Sequence, residues 1–279
     1  MKKSKKIIIA VSAVLAVAVA ACTAFYFSQK SGAKETVKLA DITSAEDITL
    51  TAHRGLSSQA PENTLPALSL AGEYGYKYAE IDIQLTKDGV WVLSHDDSIG
   101  RMTDGRGKIS GYTYFELADF TINNGANYKN YDNLKMPSLD AALDTCLESG
   151  VIPMIEIKNY TDKALKSLSD SIVNHGYQGS CYVISFNREA LNKLGEINPE
   201  IKMLWLVSEF DDETINTCIE NPQIGVSFKA DIKKNTAEKL SKLQKAGIEL
   251  FCWTVNDKQY IDSYYPLGVK NFVTDLITP

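Results

Sequence analysis

Histidine, cysteine and tryptophan are scarce in this 279-residue chain, with three, five and three copies. None of Cys22, Cys146, Cys181, Cys218 and Cys252 stands in CxxC spacing, which speaks against a thiolate zinc site. The last four fall on separate predicted helices and strands, so buried free thiols are expected rather than disulfides. No GxGxxG or GxxxxGKS/T motif follows a predicted strand, which removes the usual signature of a nucleotide-binding open sheet. Positive charge is also short. With Lys2, Lys3, Lys5 and Lys6 set aside, 25 basic side chains face 35 acidic ones, a net charge of −10. A body that acidic is not expected to bind nucleic acid.

The chain does hold one long uncharged run, Ile7 to Phe27, which suffices to span about 30 Å of hydrocarbon as a helix. The lysines before it orient the body outside the cytoplasm. Two outcomes compete for this anchor. Val19-Ala20-Ala21-Cys22 has the form of a bacterial lipobox, with cleavage before Cys22 and lipidation of that cysteine. Phe25-Tyr26-Phe27 instead has the form of an aromatic belt ending an uncleaved helix. In both cases the protein is expected at the cell membrane with its body extracytoplasmic; full secretion is the third outcome. Residues 1–30 are therefore assigned to the anchor, and the polar stretch 31–47 to a linker.

About 240 residues remain, 48–279, which suits a single α/β barrel. Eight strands are predicted: Ile48–Ala52, Tyr78–Thr86, Val151–Lys158, Cys181–Phe186, Ile201–Val207, Gly225–Phe228, Glu249–Thr254 and Asn271–Thr274. Helices are predicted between them, the first over Asn63–Tyr74 with Gly72 and Gly75 fraying its end, and the second capped by Ser138. Eight alternating βα units imply a closed barrel or a long doubly wound sheet; the missing nucleotide motifs favour the (β/α)8 barrel. Residues 97–136, rich in Gly, Asn, Tyr and Thr, break the rhythm and read as a small insertion after the second strand.

The stretch Tyr78–Asp96 organises the rest. As a strand, Tyr78–Thr86 carries Glu80, Asp82 and Gln84 on one face, where two carboxylates two residues apart repel unless a positive charge lies between them. Asp88-Gly89 signals a hairpin whose second strand, Val90–Ser94, delivers His95 and Asp96. Such a set suits a hydrolytic metal site; the competing reading is a solvated edge strand with surface acids. A barrel adds that catalytic groups belong at the carboxyl ends of strands. His53 ends the first strand, Glu156 and Lys158 share a face at the end of the third, and Trp253 ends the seventh.

At these residues the chain resembles the glycerophosphodiester phosphodiesterase family. The resemblance rests on His53-Arg54-Gly55, Pro61-Glu62-Asn63-Thr64, Glu80-Ile81-Asp82, Thr86-Lys87-Asp88-Gly89, His95-Asp96, Glu156-Ile157-Lys158 and Trp253-Thr254-Val255-Asn256, in order over residues 50 to 275. The segment from Val269 to Asp275 departs from the family's usual ending, which touches barrel closure and is expected to say little about chemistry. The resemblance implies a TIM barrel with an insertion after the second strand. It makes Glu80, Asp82 and Glu156 ligands of one divalent cation, and His53 and His95 an acid/base pair. Three oxygen donors suit Mg²⁺ or Ca²⁺ rather than zinc. Arg54 and Lys158 would neutralise the phosphate, and Trp253 would wall the substrate.

The implied reaction is metal-dependent hydrolysis of a small-molecule glycerophosphodiester to glycerol 3-phosphate and an alcohol. Two rivals are a phospholipase D-like or phosphoinositide-cleaving enzyme acting on intact lipid, and a non-catalytic surface binding protein. The polar insertion favours a water-soluble substrate, and the complete set of acids and histidines argues against a binding protein. Glu62 is expected to order the His53-Arg54 loop, Asn63 to act as an N-cap or a phosphate neighbour, and His175 only to end a helix. Tyr112, Tyr114, Tyr128 and Tyr131 would line the leaving-group side or cover the rim.

Overall fold

The computed structural model describes residues 32–279. Eight parallel strands close into a barrel: β1 (Thr49–Ala52), β2 (Tyr78–Leu85), β3 (Ile152–Ile157), β4 (Tyr182–Ser185), β5 (Lys202–Val207), β6 (Gly225–Lys229), β7 (Leu250–Trp253) and β8 (Asn271–Thr274). β8 pairs with β1 in register from Asn271 opposite Thr49 to Thr274 opposite Ala52. β1 meets β2 only through Thr51–Tyr78 and Ala52–Ala79. The carboxyl half of β2 pairs instead with an antiparallel strand, Trp91–Leu93, beyond the Asp88-Gly89 turn. That divergence leaves room at the rim between β1 and β2, where the His53 loop sits.

Seven helices return the chain between strands: α1 (Leu65–Glu73), α2 (Leu139–Ser149), α3 (Asp162–Asn174), α4 (Arg188–Ile197), α5 (Asp212–Glu220), α6 (Ala237–Lys245) and α7 (Lys258–Tyr264). Side-chain caps start several of them: Ser138 accepts from the Ala141 N–H, Thr161 from Ala164, Asn187 from Ala190 and Asp211 from Thr214. Each satisfies a backbone donor that the first helical turn leaves unpaired. Gly72 does more than fray α1. A Cβ there would lie 2.3 Å from the Ser149 carbonyl oxygen, so glycine lets α1 approach the end of α2.

Two layers of side chains bury the strands. The outer layer packs strands against helices, and the inner one fills the axis with Tyr78, Met154, Tyr182, Ile184, Leu204, Leu206, Phe251 and Val273. Both faces of β2 are therefore buried, Glu80 and Asp82 included, at 2% and 1% exposure. The solvated edge-strand reading is wrong for a physical reason: a parallel barrel strand has no wet face. The four cysteines described are free and buried, and burial pushes the Cys146 and Cys181 thiols up to about 12.

The insertion carries a short helix, Tyr114–Leu117, and its Ile99, Ile109, Leu117 and Met136 pack on Val92 of the hairpin strand in a small second core. Val37–Lys38 pairs with Ile277–Thr278, and Asp47 joins Tyr265 and Lys270. No helix among the described residues is long and apolar enough to cross a membrane. The candidate anchor, with Cys22, lies outside the described residues.

Candidate active site

At the carboxyl rim β2 supplies Glu80 and Asp82, and β3 supplies Glu156. One oxygen of each lies within 4.8 Å of the others, all three residues being buried. This is the repulsive arrangement that a divalent cation would relieve, and the donor set is all oxygen. Burial and the neighbouring charges of Asp82 and Glu156 drive the Glu80 carboxyl well above the usual range. Burial and Asp82 push Glu156 up to about 7. Asp82 goes the other way: burial would raise it, but Lys158, Arg54, His95 and an Asn63 hydrogen bond bring it down to about 2.

The loop after β1 completes this cluster from the other side. The Arg54 backbone N–H donates to Glu80 Oε2 at 2.7 Å, and Arg54 itself adopts a left-handed backbone with φ +59°. Gly55 follows with φ +72°, and a Cβ on it would meet the Ala67 backbone at 2.7 Å. Asn63, also left-handed, is neither an N-cap nor free to meet phosphate. Thr64 holds the cap position, while Asn63 Nδ2–H donates to Asp82 Oδ2 at 2.7 Å and its Oδ1 accepts the Asp82 N–H at 2.9 Å.

Both proposed phosphate cations sit against carboxylates. Lys158 Nζ lies 2.7 Å from Glu156 Oε1 and 2.9 Å from Asp82 Oδ1. Arg54 Nη1 donates to Glu62 Oε1 at 3.0 Å, and its Nε lies 3.5 Å from Asp82 Oδ2. Glu62 thus orders the Arg54 loop.

The histidines stand on two arms of one pocket. His53 Nδ1–H donates to Asp275 Oδ1 at 2.7 Å; Asp275 also accepts from Asn256 Nδ2 and Ser57 Oγ. Burial would raise the Asp275 carboxyl, but His53 and Asn256 hold it far below the usual range. His95 Nδ1–H donates to Asp96 Oδ1 at 2.8 Å, and Arg101 Nε to Asp96 Oδ2 at 2.5 Å. The Arg101 and His95 hydrogen bonds bring Asp96 down to about 2 against the effect of burial. Arg101 also donates to both oxygens of Glu62, at 2.6 and 3.0 Å, so it ties the insertion to the Arg54 loop. In each imidazole the pinned Nδ1 leaves Nε2 for other work.

His53, Arg54, Glu80, His95, Glu156 and Lys158 line one side of a pocket of about 490 Å³, open to solvent. Ile184, Phe186, Leu206, Ser227, Trp253, Thr254 and Val273 line the other. The two histidines, the acids and Trp253 therefore converge. None of Tyr112, Tyr114, Tyr128 and Tyr131 lines this pocket; Tyr112 packs on Phe120. His175 ends α3, bonding the Ser171 carbonyl and lying 3.3 Å from Asp144.

Sequence reasoning missed Asp275 and Arg101. The expectation that the last segment says little about chemistry is wrong, because its final residue holds His53. The signal was available: Asp275 follows β8 directly, at the rim where a barrel places its chemistry.

Buried acids, paired histidines and a rim pocket on a (β/α)8 barrel define a hydrolase of the phosphodiesterase class, and the comparisons agree. The model of the "Glycerophosphoryl diester phosphodiesterase family" matches residues 53–278. Glycerophosphodiester phosphodiesterase 1 of Bos taurus is 29% identical, the match covering 80% of this chain and 76% of that protein. Glycerophosphodiester phosphodiesterase of Bacillus subtilis is 26% identical over 84% of this chain and 86% of its own. An Oleispira antarctica phosphodiesterase, solved in complex with the product sn-glycerol-3-phosphate, superposes with a TM-score of 0.75 at 28% identity. That superposition covers 81% of this chain and 92% of the Oleispira chain. The chain belongs to the glycerophosphoryl diester phosphodiesterase family.

Proposed function

We propose that this phosphodiesterase releases sn-glycerol 3-phosphate and an alcohol from small glycerophosphodiesters, with one divalent cation and two histidines. The carrying observation is the convergence of Glu80, Asp82 and Glu156 within 4.8 Å, beside two imidazoles each pinned by a carboxylate. These three acids would hold Mg²⁺ or Ca²⁺, which when bound would polarise a phosphoryl oxygen. Arg54 and Lys158 line the same side and would meet the remaining phosphate charge. His53, with Nδ1–H on Asp275, presents a basic Nε2 to take a proton from the nucleophile. His95, with Nδ1–H on Asp96, would deliver a proton from Nε2 to the leaving oxygen. Trp253 and Phe186, ring centroids 5.7 Å apart, would exclude water on the alcohol side.

The test is a panel of glycerophosphodiesters with coupled detection of glycerol 3-phosphate, in Mg²⁺, in Ca²⁺ and in excess chelator. Release only with cation is expected; full activity in chelator overturns the ligand assignment. Residues 7–27 would hold the barrel at the outer face of the cell membrane. If Cys22 is the lipid anchor, Cys22→Ala leaves an uncleaved precursor without palmitate label. An unlabelled wild type of unchanged mass would favour a spanning helix.

A further inference from the structure

Residues 34–47 run down the outer wall of the barrel, and they begin at its catalytic end. The Lys34 N–H donates to the Ser58 carbonyl at 2.9 Å, and Gln59 Nε2–H donates to the Lys34 carbonyl at 2.7 Å. Ser58 and Gln59 belong to the loop after β1, whose Ser57 hydroxyl donates to Asp275 beside His53. Two residues earlier, Gly32 lies against the insertion: a Cβ on it would stand 3.4 Å from the Gly125 carbonyl oxygen. From Lys34 the chain descends. The Val37 N–H donates to the Leu276 carbonyl at 2.9 Å, and Leu39 and Ile42 pack against the core. Asp47 then meets Tyr265 and Lys270 at the floor, where β8 starts. The described chain therefore enters at the rim, between the two histidine arms.

Gly32 follows the uncharged run Ile7–Phe27 by five residues. Fully extended, five residues reach about 18 Å, and the ten from Cys22 about 36 Å. The barrel is taller than the shorter tether, since α3 alone, with 13 residues, is about 20 Å long. A body held by Phe27 cannot turn its floor to the bilayer, because the tether would first have to pass the whole outer wall. Exposed apolar side chains do not choose the face by themselves. Phe186, directly after β4, and Phe115, whose neighbour Tyr114 bonds Asp88 of the turn beyond β2, are exposed on the rim side. Leu147 and Ile219 are exposed at the floor ends of α2 and α5. The entry point of the chain decides between them.

We propose that the catalytic rim is the membrane-apposed face of this protein, with the outer leaflet of the cell membrane as its partner. This orientation rests on the anchor reading of residues 7–27 given above. The pocket mouth then opens onto the gap between barrel and bilayer, so a diester reaches it along the headgroup layer.

The test places one fluorescent donor on the full chain, at Phe115→Cys on the rim or at Leu147→Cys or Ile219→Cys near the floor. Energy transfer is measured to acceptor-labelled headgroups in phosphatidylcholine–phosphatidylglycerol vesicles. The parent chain, whose four described thiols are buried, gives the background. The rim label should stand about 20 Å nearer the acceptors than either floor label and transfer severalfold more. A lipidated Cys22 allows more tilt and narrows that difference without reversing it. Floor labels that transfer as much as the rim label, or more, overturn the orientation alone. If the chain does not float with the vesicles, the anchor reading fails and this one with it, while hydrolysis of soluble diesters leaves the phosphodiesterase reading standing.

Discussion

The two histidine arms are alike in chemistry and unlike in construction. His53 takes its carboxylate from Asp275, 222 residues away, at the seam where β8 closes onto β1. That partner is backed by Asn256 and Ser57, and the imidazole is 19% exposed. His95 takes its carboxylate from its own neighbour, Asp96, which Arg101 of the insertion backs, and its imidazole is 36% exposed. One arm is a product of barrel closure, so its geometry is as stable as the fold. The other stands beside the insertion, whose Arg101 bridges Asp96 and Glu62. In the proposed division the base is the less exposed imidazole and the acid the wetter one.

Cation removal should strike both arms together and have the largest effect. Excess chelator, or Glu80→Gln, should abolish phosphodiester hydrolysis in a product-release assay, while a cation-independent residue of activity would separate the histidines from the acids. Next, Asp275→Asn should lower kcat about 100-fold with little change in KM, because a neutral amide neither fixes the Nδ1–H tautomer nor stabilises the imidazolium as the carboxylate does. Asp96→Asn should cost about tenfold, its imidazole being already wetter; equal losses would erase the distinction between the arms. Arg101→Met should cost less than tenfold on a natural substrate and less still on a nitrophenyl ester, where its hold on His95 no longer counts and only its hold on Glu62 and the Arg54 loop remains. Arg101→Lys should recover little, because one ammonium cannot hold Asp96 and both Glu62 oxygens.

The smallest effect is on stability against pH. Glu156, raised to about 7, keeps a proton in the folded state that the unfolded chain loses near 4.5. Cation-free protein should therefore lose thermal stability as pH rises from 4.5 to about 7, and Glu156→Gln should lessen that fall, Glu80 contributing the remainder with the same sign. Asp96, lowered to about 2, has the opposite window: its contribution is present above 3.8 and lost as pH falls towards 2. A denaturation series in chelator checks both.

Much of this was legible in the sequence because the chemistry is locally spaced. Glu80 and Asp82 are two apart on one strand, Glu156 and Lys158 two apart on another, and His53-Arg54-Gly55 ends a strand. Strand periodicity says which side chains share a face. It does not say whether that face is wet, so β2 read as amphipathic although the barrel buries both sides. Nor does it reveal partners across the closure: Asp275 reaches His53, and Asn63 reaches Asp82, only once the strands are curled into a ring. Arg101 was hidden for another reason. An irregular insertion has no period from which to infer what its charges touch.

The division of labour between the arms is tested most directly by the leaving group. His53→Ala and His95→Ala should each lower kcat on a natural diester by about 10²–10⁴-fold. On a glycerophosphodiester with a nitrophenyl leaving group, which needs no proton, His95→Ala should regain most of that loss while His53→Ala should not. Equal losses by both variants on both substrates would contradict the assignment of base to the closure arm and acid to the insertion arm.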